Sequence, residues 1–195
     1  MNTHHALAYT SKHALRFLIA TLSLALITGN VAASTLKLDQ NKSSITVKFK
    51  QMDVPILAKF KKLNAAIDYN SVQPELSKAS VEIDMRGLEL PAPEYNEEVQ
   101  KKEWFNAPQF PLANFVSTAM KQAAPGKLEV SGILTIKGRK QNVQFPLFIK
   151  TEGKQLSFEG TLTIKRLAFQ IGEGEWKDTS MIADDVSIQF KIFAQ

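Results

Sequence analysis

The chain has 195 residues, 44% of them apolar, a formal net charge of +5 and no cysteine. Its only histidines are His4, His5 and His13, so everything downstream of residue 33 lacks both imidazole and thiol. That argues against zinc, copper, haem and iron–sulfur sites there, and against Ser-His-Asp and Cys-His nucleophile systems.

Residues 1–16 carry Lys12 and Arg16 and no acid, Phe17 to Gly29 form the apolar run FLIATLSLALITG, and Val31-Ala32-Ala33 supplies small residues. A basic start, a short apolar run and a small-residue site make a secretory signal peptide, and the run is shorter than the roughly 20 residues that span a bilayer. Cleavage after Ala33 is expected, with residues 34–195 forming one exported, periplasmic domain whose core must suffice without disulfides. Without Lys12 and Arg16 the 24 basic residues become 22, against 19 acidic ones. The densest basic clusters, KFKK (59–62) and KGRK (137–140), read as solvated strand ends and turns. No aromatic-interleaved basic groove appears, so no nucleic-acid partner is expected.

Period-two alternation then dominates. In SITVKFK, Ile45, Val47 and Phe49 oppose Thr46, Lys48 and Lys50; in ASVEIDM, Ala79, Val81, Ile83 and Met85 oppose Ser80, Glu82 and Asp84. The same pattern gives Leu128, Val130, Leu134 and Ile136; Val143, Phe145, Leu147 and Ile149; Leu156, Phe158, Leu162 and Ile164; and Val186, Ile188, Phe190 and Ile192. Such alternation predicts antiparallel strands with one dry and one wet face. AKFKKLNAAIDY (58–69) changes phase between Phe60 and Leu63, which predicts a bulge in one bent strand. KGRK, TEGKQ (151–155) and AAPGK (123–127) predict turns, and YNSVQPELS (69–77) a longer polar loop. PEYNEEVQKKEWF (93–105) predicts a short helix with Glu97–Lys101 and Glu98–Lys102 pairs. The pattern gives eight or nine strands and leaves a sandwich and a barrel both open.

FQIGEGEW (169–176) is long for a hairpin connection. A phosphate loop needs a helix behind its glycines, and the glutamates here would repel the anion. Gly172 and Gly174 are expected in left-handed turns, with Phe169, Ile171 and Trp176 folded inward and Glu173 and Glu175 facing water. The acids Asp178, Asp184, Asp185, Glu173 and Glu175 could supply a glycosidase-like pair, but nothing lifts them above turn acids. No enzymatic activity is expected.

LKLDQNKSSITVKFKQM (36–52), KFKKLNAAIDY (59–69), EEVQKKEWFNAPQFPLANFVST (97–118), VSGILTIKGRKQNVQFPL (130–147) and TIKRLAFQIGEGEWKDTSMIADDVSI (163–188) follow one another in an order and spacing that resemble the YceI-like family of exported lipid-binding proteins. The chain departs at Asn96 and Asn106, where aspartate is common, and at Gln170, a frequent glycine position. The resemblance implies an all-β fold: an eight-stranded, antiparallel, lipocalin-like barrel with one short helix and an apolar tunnel. The implied ligand is a polyisoprenoid, an isoprenoid quinone or another long-chain lipid, often in a homodimer, with no cofactor beyond that lipid.

An eight-stranded interior can either be filled by side chains or hold one small ligand. In the second case the tunnel lining is expected from Val47, Phe49, Val81, Ile83, Met85, Phe115, Leu134, Ile136, Phe145, Leu147, Phe158, Leu162, Ile164, Phe169, Ile188 and Phe190. Trp104, Phe105, Arg166 and Trp176 are expected at the rim, Arg166 meeting a headgroup or else forming a salt bridge with Asp184 or Glu173. The alternative is a filled, ligand-free barrel acting through its rim on a membrane redox or envelope-stress partner.

Overall fold

The alternating segments become strands whose inward side chains are those the pattern sorts to the dry face. The structure, a computed structural model, describes residues 34–195; the expected leader lies outside the described residues. Eleven strands form: β1 (Ser34–Leu36), β2 (Ser44–Gln51), β3 (Val54–Phe60), β4 (Leu63–Tyr69), β5 (Lys78–Asp84), β6 (Leu88–Glu89), β7 (Leu112–Ala124), β8 (Lys127–Ile136), β9 (Arg139–Glu152), β10 (Gln155–Lys165) and β11 (Asp185–Ala194). They make one antiparallel sheet in the order β1-β4-β5-β7-β8-β9-β10-β11-β2-β3-β6, curled in the manner of a β-barrel around the apolar faces.

The sheet has eleven strands where eight are expected, and the difference has two sources. The segment predicted as one bent strand breaks at Lys61-Lys62 into β3, which pairs with β2, and β4, which pairs with β5. The chain turns a corner there, so its halves meet different neighbours. The strands β1 and β6, three and two residues long, are too short for periodicity to reveal. β1 pairs with β4, after which Leu38 bridges Ala194 and Lys37 N–H donates to the Gln195 carbonyl. Residues 34–39 thus stitch the β4 side of the curl to its β11 side.

The predicted turns form. Lys137-Gly138 joins β8 to β9 with both residues left-handed, φ 50° and 72°, a two-residue turn whose twist suits a hairpin. Pro125-Gly126 joins β7 to β8 with Gly126 at φ 69°. The helix is shorter than expected, α1 (Tyr95–Glu98), and Lys101 pairs with Glu98, one turn back. Beyond it the chain closes on itself through Phe105 N–H to Val99 O and Ala107 N–H to Gln100 O, which turns Trp104 toward the core.

Two inward positions are glycines, and each faces an aromatic ring. An added Cβ at Gly132 on β8 would meet Phe115 Cε2 at 2.4 Å and the Val116 carbonyl oxygen at 2.6 Å; at Gly160 on β10 it would meet Phe190 Cζ at 2.5 Å. The wall is thinned there so that the rings can lie against it. Gly132→Ala should lower the unfolding free energy by roughly 1–3 kcal/mol through overpacking, read from urea denaturation. An unchanged midpoint would mean that ring and backbone yield freely.

Candidate functional site

The curled sheet leaves its centre open. Between its walls lies a cavity with about 220 Å³ open to the centres of water-sized groups, inside about 1670 Å³ of unfilled space that includes its opening. One enclosed water needs roughly 10–15 Å³, so this cavity is far larger than a single water site. The wall surface facing this space is wholly apolar. Hollowness also shows in the side chains: Val47, Phe49, Val81, Phe115, Ile188 and Phe190 point inward yet are only half-buried, which a filled core would not leave.

Fifteen of the sixteen residues expected on the lining face the cavity, from Val47 and Phe49 on β2 to Ile188 and Phe190 on β11. Phe169 does not. It is 1% exposed and packed within the core beyond the cavity wall, because the turn Arg166–Phe169 carries it under the loop. Strand neighbours on the same faces join the lining, such as Ile45, Val130 and Ile192, and the alternation already sorted them inward. Leu90, Val99 and Ile182 also join it; they come from non-strand segments, where no period marks the inward side.

An aromatic arc crosses one wall. Phe145 on β9 sits 5.5 Å from Phe115 on β7 and 5.5 Å from Phe190 on β11. Gly132 and Gly160 occupy the strands between. Ring, glycine, ring, glycine, ring on five successive strands keeps bulky side chains pressed to the wall. Tyr69 meets Phe158 edge-on at 5.7 Å.

One end of the cavity is organised by Arg166, which is 2% exposed. Its guanidinium donates to five backbone carbonyls: Nε to Ala183, Nη1 to Ile171 and Gly172, and Nη2 to Trp176 and Ile182. Every N–H is spent, so Arg166 is neither a free headgroup contact nor a salt-bridge partner of Asp184 or Glu173; it is the pin around which residues 171–183 fold. Burial pulls its pKa down, partly countered by the Asp184 charge. Asp184 itself accepts from Leu167 N–H. Glu173, expected to face water, is instead tied to the buried Lys137, whose Nζ lies 2.9 Å from its carboxylate and 2.7 Å from the Gln170 carbonyl. That contact holds the Glu173 carboxyl below its ordinary value.

Above the pin, Trp104 and Phe105 line the cavity. Trp176 is half-buried and stands off the lining, its ring 5.4 Å from Trp104. Trp104 Nε1 is the one buried side-chain nitrogen or oxygen without a partner among the described residues. Gly172 and Gly174 are left-handed, as expected, at φ 78° and 65°; so is Gln170 at 57°, and it spends its side chain on Arg139. The remaining acids serve local structure: Asp178 accepts from Ser180, and Asp185 pairs with Lys165 at 2.8 Å. Among the described residues no group of three or more His, Cys, Asp or Glu side chains could hold a metal.

Gly172→Ala places a methyl 2.2 Å from Arg166 Nη1 at a left-handed φ, so it should destabilise the protein by several kcal/mol and speed proteolysis within residues 169–183. Equal protease resistance would contradict the pinning role. Because Glu173 titrates lower folded than unfolded, its contribution is present above its ordinary value of 4.5 and fades as pH falls through the folded value. The stability gap between wild type and Glu173→Gln should therefore be open at pH 7 and close in acid; a pH-independent gap would rule out the ion pair as its cause.

The fold has relatives among solved structures. BcnA from Burkholderia cenocepacia is 40% identical and superimposes with a TM-score of 0.79 over 82% of this chain and 100% of its own. A polyisoprenoid binding domain from Saccharophagus degradans, implicated in plant cell wall breakdown, shares the fold at 15% identity, with a TM-score of 0.66 over 84% of this chain and 98% of its own. A UPF0312 protein of Pseudomonas savastanoi pv. phaseolicola is 27% identical over 135 residues, 66% of this chain and 68% of that one. Residues 36–194 match the model of the YceI-like domain, and the chain belongs to that family.

Proposed function

We propose that this protein is a periplasmic carrier that holds the chain of a polyisoprenoid, an isoprenoid quinone or a comparable long-chain lipid inside the cavity. The observation that carries the reading is the unfilled, wholly apolar space. At about 24 cal/mol per Å³, a 220 Å³ void costs on the order of 5 kcal/mol of stability, a loss that an apolar occupant removes. Each buried methylene of such a chain contributes about 0.8 kcal/mol, so a chain burying about ten to fifteen of them gains on the order of 8–12 kcal/mol before the costs of ordering and immobilisation, which supports binding near micromolar. The polyisoprenoid binding domain from Saccharophagus degradans has the same fold.

A curled antiparallel sheet with an open apolar interior suits a single ligand. The unpartnered Trp104 Nε1–H favours a lipid carrying an oxygen near that end, as a quinone does. A barrel acting only through its rim would have no use for the void, so the space favours the carrier over the rim-only reading.

Both tryptophans of the chain, Trp104 and Trp176, lie at the pinned end, so their fluorescence reports on the cavity. Titrating the delipidated protein with a long-chain isoprenoid quinone should give saturable quenching. The double variant Val81→Phe/Ile188→Phe, which puts two rings into the space, should bind at least about tenfold more weakly with no loss of melting temperature. Absence of saturable binding, or equal affinity in the variant, would overturn the proposal.

A further inference from the structure

Exposed apolar side chains gather at one place beside the cavity. The β2–β3 hairpin turns at Met52-Asp53, both left-handed, and presents Met52 at 66% and Val54 at 58% exposure. Met52 N–H donates to the Met181 carbonyl, and Gln51 bridges Ile182. Met181, 43% exposed, therefore sits against the hairpin tip. Down the outer face of the hairpin, Leu57, also more than half exposed, lies in register with Lys48, and Pro55 with Lys50. Lys48, Lys50 and Lys59 are all exposed on that face. Two acids flank this face and both are engaged: Asp53 with Lys50 at 3.6 Å, and Glu89, in register with Lys59, with Lys61 at 2.8 Å. Lys48 and Lys59 have no carboxylate within ion-pair distance among the described residues. The adjoining outer face of β11 offers Ser187 and Gln189 opposite Lys48 and Thr46, and its one acid, Asp185, is paired with Lys165 at 2.8 Å.

An apolar tip flanked by uncompensated lysines matches the layering of an anionic bilayer, with phosphates at the surface and hydrocarbon beneath. We propose that the β2–β3 hairpin and the Met181 loop dock this protein onto an anionic lipid surface. Methionines and valine at the tip would enter the headgroup boundary, and Lys48 and Lys59 would meet lipid phosphates. Phe49, Ile182 and Ile188, which line the cavity, belong to the docking elements or to the strand beside them, so docking would set the bilayer surface against the cavity wall. This rests on the carrier reading for its purpose but not for its test.

The test is co-sedimentation of the purified protein with phosphatidylcholine vesicles made with and without phosphatidylglycerol, at low and high salt. Binding is expected only with phosphatidylglycerol and should weaken with salt. Lys48→Glu/Lys59→Glu should reduce it by at least about tenfold, and Met52→Asp/Met181→Asp comparably, while both variants keep the wild-type melting temperature and the wild-type quinone quenching in vesicle-free solution. Equal binding to neutral vesicles, no binding to either kind, or wild-type binding by both variants would overturn the docking proposal. So would a change confined to oligomeric state on Met52→Asp/Met181→Asp, which would assign the face to a second copy of this chain. Lost quinone quenching in wild type would sink the carrier reading and leave the docking result to stand alone.

Discussion

Antiparallel strands with one apolar face must bury that face, and here the only surface available is the inner face of the same sheet. Curling brings the faces toward one another, but the inward side chains do not fill the space that the curl encloses. Leu134, Phe145 and Leu162 are buried, while Val47, Val81, Ile188 and Phe190 remain half-open. Everything functional follows from that mismatch between circumference and side-chain reach. The glycine–aromatic alternation across β7 to β11 acts in the same direction, because it stores ring volume against the wall.

A curled sheet alone would leave its ends ragged, and the end beneath FQIGEGEW is closed by a charge. A guanidinium buried without a carboxylate is costly unless its donors are met. Arg166 meets them with five carbonyls that no regular element uses. The carbonyls lie between Ile171 and Ala183, so the side chain fixes a stretch of loop that has little secondary structure of its own. Gly172 is required because a Cβ would occupy the guanidinium's place, and the Lys137–Glu173 contact ties the same loop to the β8–β9 turn. Gly172 thus serves a cation belonging to the protein itself, which is the reverse of a phosphate loop.

Periodicity read the strands and their faces well because burial on one side of a pleated ribbon leaves a period-two signature wherever a strand exceeds about four residues. Parity sorts inward fourteen of the fifteen expected positions that face the cavity; the other, Phe115, lies in a segment read only through the family resemblance. Periodicity misses β1 and β6, which are too short for a period to show, and β7, whose pairing is interrupted by irregularities at Ser117 and Gln122, and it reads 58–69 as a single strand because a corner looks locally like a bulge. Phe169 was misplaced because its neighbours form a 3-10 turn, where parity carries no information. Arg166 was misread for a different reason: a sequence shows a cation near acids, Asp184 and Glu173, but cannot show carbonyls converging from loops. The volume left inside was likewise invisible, since a packed barrel and a hollow one use the same residues.

Native mass spectrometry of the protein purified without detergent, followed by organic extraction of the same sample, addresses the hollow interior most directly. The account predicts a complex heavier than the polypeptide that releases a prenyl or other long-chain lipid into the organic phase. A bare polypeptide mass, together with failure to take up polyprenyl lipids offered afterwards, would contradict it.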